Sequence, residues 1–260
     1  MKQEYEVRLL SNESLTDSVH QLTFYGPEIA KKAVPGQFIN LSCSFYLKRP
    51  FGISRTNKEK GTFSIGVKMV GKGTEEIINS KPDDVFTALG PLGNGFSWDG
   101  IQKIIIAGGG TGIFPLHFVL SDAKRRGIPA ICVKGFQSKT DIFLMEEFKM
   151  LEPEKYIITT DMGDFGMKGN VLDALLTLNE ADIENAAVFC VGPEMMMKHV
   201  AAWAESQNLF CQISMEKRMA CGIGVCLVCV CKQKHEEKDF HHVRCCCDGP
   251  VFNAADIIFE

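Results

Sequence analysis

Seven cysteines lie within 27 residues near the end of the chain: Cys221, Cys226, Cys229, Cys231, Cys245, Cys246 and Cys247. No export signal precedes them, so a disulfide knot is not the expectation, and clustered thiolates in a reducing compartment imply metal. Cys221-x4-Cys226-x2-Cys229, followed after sixteen intervening residues by Cys246, is the plant-type spacing for a 2Fe-2S cluster. Three ligands must share one tight loop whose amides can face the sulfides, and Gly222 and Gly224 let that loop curl. A structural zinc site is the alternative, but it typically uses two C-x2-C knuckles and only one such pair is present. Spacing alone leaves Cys245, Cys246 and Cys247 open as the fourth ligand. If that segment is extended, Cys245 and Cys247 face away from Cys246. Cys231 stands too close to Cys229 to serve and reads as a bystander. Cys43, Cys132, Cys190 and Cys211 sit singly in apolar runs and read as core residues.

Two glycine-bearing turns offer a nucleotide site. AGGGTGIFP (107–115) follows an apolar run and precedes a helical one, which puts Gly108, Gly109, Gly110, Thr111 and Gly112 where open α/β sheets bind ligands. The loop is not G-x-G-x-x-G, because Ile113 occupies the place of the third glycine. GPE (192–194) forms a second such turn, with Pro193 suited to a helix start. Near the other end of the chain, RPFG (49–52) and GKGT (71–74) combine fixed charge with accessible backbone: Arg49 suits a pyrophosphate and Phe51 a flat ring. His117, His199, His235, His241 and His242 show no metal-ligand spacing and are expected to be structural.

The elements that must position these residues fall into three textures. Residues 1–99 read as short alternating segments broken by Gly and Pro, which predicts an all-β barrel or sandwich. Phe63, Ile65, Val67 and Met69 should share one face, and a short helix is expected over Thr74–Ser80 with Thr74 as its N-cap. Residues 100–213 alternate continuous apolar strands with helices. That predicts a five-stranded doubly wound parallel sheet, with helices over Phe114–Arg126, Asp141–Met150, Val171–Asn179 and Glu194–Gln207. Residues 214–260 form a small cysteine-rich module. The chain has 260 residues, 45% hydrophobic and 23% charged, and 28 basic against 32 acidic residues leave a net charge of −4. No basic stripe points to nucleic acid, and the longest apolar stretch (103–120) carries four glycines, a proline, a lysine and a histidine. A soluble, cytoplasmic protein with no membrane span is the expectation.

Taken in order, RPFG, GKGT, GPLGNGF (90–96), GGGTGIFPL (108–116), GPEMM (192–196), MACGIGVCLVCVC (219–231) and CDGPVF (247–252) resemble the ferredoxin–NADP reductase superfamily. Within it, the chain is similar over nearly its whole length to electron-transfer subunits of class B dihydroorotate dehydrogenase. The resemblance implies an FAD-binding antiparallel barrel, an NAD-binding α/β domain and a 2Fe-2S module. Arg49, Pro50, Phe51 and Gly52 would hold FAD, with Val67, Lys68, Gly73 and Thr74 along its ribityl-diphosphate. Gly108–Gly112 and Gly192–Glu194 would receive NAD. The family's last cysteine stands two before the Asp of DGPVF, which selects Cys246 as the fourth ligand beside Cys221, Cys226 and Cys229. Gly52 stands where relatives carry a serine, so that flavin contact must come from backbone or from elsewhere. The implied role is electron transfer in pyrimidine biosynthesis, from an FMN-containing catalytic partner in a heterotetramer of two of each, with no catalytic nucleophile or base on this chain. The rival within the superfamily is the flavin subunit of an NADH-dependent ferredoxin–NADP or sulfide-linked oxidoreductase, whose first cluster ligand is typically aspartate where this chain has Cys221.

Overall fold

A computed structural model describes residues 3–259. The N-terminal strands are β1 (Glu4–Ser14), β2 (Val19–Tyr25), β3 (Phe38–Leu41), β4 (Arg49–Asn57), β5 (Thr62–Lys68) and β6 (Val85–Leu92). They close into an antiparallel barrel in the order β1-β2-β5-β4-β3-β6, which leaves no strand edge unpaired. Its interior takes every second residue: Phe63, Ile65 and Val67 are buried from β5. Met69, expected on the same face, lies beyond the end of β5 and is exposed. The α1 helix (Pro27–Lys32) and α2 helix (Lys72–Ile78) flank the barrel. The latter begins two residues before the expected start, with Gly71 as N-cap. Thr74 still satisfies the helix end from its third position, its hydroxyl accepting from the Val70 and Gly71 amides at 2.9 and 3.1 Å.

The second unit contains β7 (Lys103–Gly109), α3 (Ile113–Arg126), β8 (Ala130–Phe136), α4 (Met145–Lys149), β9 (Lys155–Thr160), β10 (Met167–Lys168), α5 (Val171–Leu175), α6 (Glu180–Ile183), β11 (Ala186–Val191), α7 (Glu194–Ser206) and β12 (Phe210–Ser214). The expected strands and the long helices α3 and α7 are present, whereas α4 and α5 are shorter than their apolar patterns implied. The tail contributes β13 (Val230–Gln233), β14 (His241–Arg244), β15 (Val251–Asn253) and β16 (Ile257–Ile258).

The sheet has seven strands rather than five, in the order β10-β9-β8-β7-β11-β12-β15. The two additions have different origins. The two-residue β10 pairs parallel with the end of β9, and β15 returns from the tail to pair antiparallel with β12 through Ile213↔Phe252. A three-residue strand has too little pattern to register in sequence. Chain order reverses about β7, which opens a crevice beyond the carboxyl ends of β7 and β11. Both glycine turns emerge there.

Candidate functional site

The barrel and the sheet meet along α3. Phe114 lies over Gly66 of β5, where a Cβ would come within 1.9 Å of the ring, and His117 Nδ1 is 3.3 Å from the Ser54 carbonyl oxygen of β4. Burial is the main cause holding the His117 imidazole neutral, with its pKa down to about 3, and the Arg55 cation adds to the effect. This seam encloses a cavity of about 490 Å³ lined by Arg49, Pro50, Phe51, Gly52, Lys68 and Thr74 of the barrel. Thr111 and Phe114 close it from the glycine turn, and Met215, Lys217 and Met219 from the segment leading to Cys221. The Arg49 guanidinium packs on Gly73, where a Cβ would stand 2.5 Å from it. A fixed cation at one end, an exposed backbone and aromatic walls match the demands of a dinucleotide carrying a flat ring, so the residues present fit FAD. Val67 points into the barrel core and does not line the cavity.

A second cavity, about 290 Å³, adjoins the first and shares Lys68 and Thr111 with it. Gly109, Gly110 and Pro193 line it together with Gly135, Gln137, Asp141, Phe143 and Asp161. Gly108, Gly112, Gly192 and Glu194 do not. Gly112 and Gly192 let the two turns touch: a Cβ on Gly112 would be 2.3 Å from the Val191 carbonyl, and one on Gly192 would be 3.1 Å from the Gly109 amide. Glu194 is turned toward the tail and binds Lys217 at 2.9 Å. Cys190 is sealed inside the sheet, with its thiol pushed well up by burial, and does not reach either cavity.

The cluster loop rests on the barrel. Gly222 has φ +67°, and a Cβ there would meet the buried Asn40 side chain at 2.2 Å, so both conformation and space require glycine. Gly224 has φ +87°. The curl aims amides inward, and Cys221 Sγ accepts from Ile223 N–H at 3.5 Å and Cys226 N–H at 3.4 Å. Desolvation opposes ionisation of Cys221, but the Cys226 and Ile223 amides outweigh it and bring the thiol down to about 6. Residues 245–248 form a turn after β14, not the extended segment considered from sequence, so the side chains do not simply alternate. Cys245 is directed at Cys231, Sγ to Sγ 3.8 Å, while Cys246 contacts Cys229. Cys247 Sγ lies 3.7 Å from Cys246 Sγ and faces Gly224.

Cys221 and Cys226 thus form one neighbouring pair, and Cys229 and Cys246 another. Among the described residues no three His, Cys, Asp or Glu side chains are gathered to hold one ion. Two thiolate pairs with loop amides around them fit a 2Fe-2S rhomb, in which each iron takes two protein sulfurs, better than a single tetrahedral zinc. Arg244 braces the loop by donating to the Gly224 carbonyl (3.2 Å) and to Asp248. This brace and the Gly66–Phe114 contact escaped the sequence reading, which assigned Asp161 no role. Each depends on residues far apart in the chain or on a side chain of an ordinary type.

Residues 216–258 match the family model for the iron-sulfur cluster binding domain of dihydroorotate dehydrogenase B. Across its full length the chain is 37% identical to the electron transfer subunit of dihydroorotate dehydrogenase B (NAD(+)) from Caldanaerobacter subterraneus subsp. tengcongensis, covering 100% of each. The subunit of the same description from Bacillus pumilus is 33% identical, with 99% of this chain and 98% of that one covered. Among solved structures, an NADH-dependent reduced ferredoxin-NADP oxidoreductase superposes with TM-score 0.85 at 27% identity, covering 97% of this chain and 89% of that one. The cytochrome b5 reductase domain of Ulva prolifera nitrate reductase shares the fold alone, with TM-score 0.63 at 18% identity over 75% of this chain and 89% of that one.

Proposed function

Because the chain belongs to the electron-transfer subunits of dihydroorotate dehydrogenase B (NAD(+)), we propose that it carries reducing equivalents from a dihydroorotate-oxidising partner through its own 2Fe-2S cluster and FAD to NAD+. It is an oxidoreductase subunit that completes its reaction only with a catalytic partner, which holds FMN. When bound, the cluster supplies one-electron steps, and the flavin links these to the two-electron hydride that NAD+ accepts.

The work of this chain's own residues is to hold and orient. Cys221, Cys226, Cys229 and Cys246 hold the cluster as two thiolate pairs, and the amides of Ile223 and Cys226 favour the ionised ligand. Arg49, seated on Gly73 beside Thr74, takes the diphosphate of FAD, while Pro50, Phe51 and Gly52 face its ring, Lys68 lines the same cavity, and Val67 supports β5 from the barrel core. Gly109, Gly110, Thr111 and Pro193 receive NAD, and Gly108, Gly112, Gly192 and Glu194 shape the two turns. Asp141 and Asp161 place two carboxylates on that cavity against Lys68 as the one lining cation among the described residues, which disfavours the extra phosphate of NADP. The division into functional units follows residues 1–99, 100–213 and 214–260. Exposed Ile223, Val225, Leu227 and Val228 on the cluster loop offer the partner an apolar surface, in an assembly of two of each subunit. No helix among the described residues is long and apolar enough to cross a membrane, and thiolate ligands need a reducing compartment, so we place the protein in the cytoplasm.

One observation carries this reading. The first cavity draws its walls from the barrel, the glycine turn and the segment entering the cluster loop, and it adjoins the second cavity at Lys68 and Thr111. Electrons entering at the cysteines therefore have a contiguous route to a dinucleotide. The rival ferredoxin–NADP oxidoreductase shares the fold, but the full-length relatives at 37 and 33% identity place the chain with the dihydroorotate enzymes. The test is anaerobic purification with the catalytic partner, followed by assays of iron, acid-labile sulfide, FAD and dihydroorotate-dependent NAD+ reduction. Colourless protein carrying stoichiometric zinc would refute the proposal.

A further inference from the structure

Lys134 lies on β8 with no solvent exposure, and nothing in the electron route uses it. An ammonium withdrawn from water is costly unless its donors are satisfied. Here Nζ donates to the carbonyl oxygens of Phe143 (3.1 Å) and Leu144 (3.3 Å) and stands 4.1 Å from the centre of the Phe148 ring. The Phe136 and Tyr156 rings complete the cage at 5.5 Å each. The two carbonyls belong to a turn in which Leu144 adopts φ +52°, a left-handed conformation that a leucine enters only when its surroundings compel it.

That turn is also a wall of the second cavity. Phe143 lines it, stacks on Phe114 at 5.0 Å and meets Phe136 edge-on at 5.5 Å. Phe114 in turn lines the first cavity. The ammonium therefore straps the backbone that sets the position of an aromatic ring at the junction of the two sites. We propose that Lys134 is a positioning residue for the dinucleotide, pinning the Phe143–Leu144 turn so that Phe143 keeps the second cavity in the shape that accepts NAD+. This rests on the reading of that cavity as the NAD site.

The groups facing Lys134 are Cys132 on its own strand, Glu147 on α4 and Tyr156 on β9. His117 on α3 faces it as well, and Arg55 of β4 lies 3.8 Å from Glu147. Burial brings the Lys134 pKa down to about 8, with Cys132 and Glu147 opposing that shift. As pH rises through that value the strap loses its charge, and the charge-assisted bonds to the two carbonyls weaken.

The experiment is titration of the intact complex with NAD+, followed by flavin fluorescence, at pH 7 and pH 9.5, for the unmodified protein and for Lys134→Met. The KM for NAD+, kcat, melting temperature and FAD content are measured alongside. Lys134→Met is expected to raise Kd and KM about tenfold, equivalent to ~1.4 kcal/mol, with kcat at saturating NAD+ and FAD content unchanged. The unmodified protein should bind several-fold more weakly at pH 9.5 than at pH 7, and the variant should show a flat profile. A variant that binds NAD+ as the unmodified protein does, whatever its melting temperature, overturns the proposal by making the lysine merely structural. If the variant does not fold, an unmodified protein whose Kd is the same at both pH values overturns it equally. Failure of the unmodified protein to bind NAD+ at either pH removes the dinucleotide reading itself, and this inference with it.

Discussion

Substituting Gly66 by alanine probes the seam that walls the proposed flavin site. The added Cβ would lie 1.9 Å from Phe114 Cδ2 and 2.1 Å from both Cε2 and Cγ. Carbon atoms pack at about 3.5–4.0 Å, so the ring or the strand must give by roughly 1.6–2 Å. Phe114 cannot retreat freely, because it is 1% exposed and stacked on Phe143. It must either swing into the cavity it lines or push α3 from the barrel, loosening the His117–Ser54 contact. Overpacking of this kind costs about 1–3 kcal/mol, which for a chain of this length is a melting-temperature drop of roughly 2–12 °C. Without the ring, the same substitution in a strand should be neutral or stabilising by about 0.5–1 kcal/mol, because alanine restricts the unfolded chain. The assay is a double-mutant cycle of Gly66→Ala with Phe114→Ala, read by thermal unfolding and by the ratio of bound FAD to protein. Gly66→Ala should lose stability and flavin on its own and cost nothing further in the Phe114→Ala background, a coupling of about 1–3 kcal/mol. Equal cost in both backgrounds would refute the steric argument.

At the cluster, Cys246→Ser should lose most iron and acid-labile sulfide, while Cys245→Ser and Cys247→Ser retain them. Equal iron in all three would show that the ligand assignment is wrong. Arg49→Ala should weaken FAD binding by about 10–150-fold, the worth of one charge-assisted contact of roughly 1.5–3 kcal/mol, with iron content unchanged. Reconstitution of flavin-stripped protein measures it, and an unaltered FAD affinity would exclude Arg49 from the diphosphate site. The His117 pKa is depressed in the folded state to about 3 against 6.5 unfolded, so the unfolded chain takes up the proton first as pH falls. Stability from this group is present above about pH 6.5 and declines toward pH 3, by roughly 2 kcal/mol at pH 5. Urea unfolding of His117→Gln and the unmodified protein should give a stability difference that shrinks by that amount between pH 7 and pH 5. A difference that does not change with pH would contradict the buried, neutral imidazole.

What the amino-acid order alone determines here is whatever local chemistry can encode. The alternation of Phe63, Ile65 and Val67, the unbroken apolar runs of β7 and β11, the glycines of 108–112 and the Cys221–Cys226–Cys229 spacing each specify their conformation within a few neighbours, and all were legible. The N-cap of α2 is Gly71 and not Thr74 because Thr74 can satisfy a helix end from more than one position. What the tertiary structure decided is which distant groups meet. Three consecutive cysteines look alike in sequence. Only the turn after β14 sends Cys245 toward Cys231 and Cys246 toward Cys229. The addition of β15 to the sheet, the seating of Phe114 on Gly66 and the bond from Lys134 to the Phe143 carbonyl likewise join segments between 9 and 48 residues apart. Such contacts follow from the closure of the whole core, where space and desolvation select partners that no local pattern names.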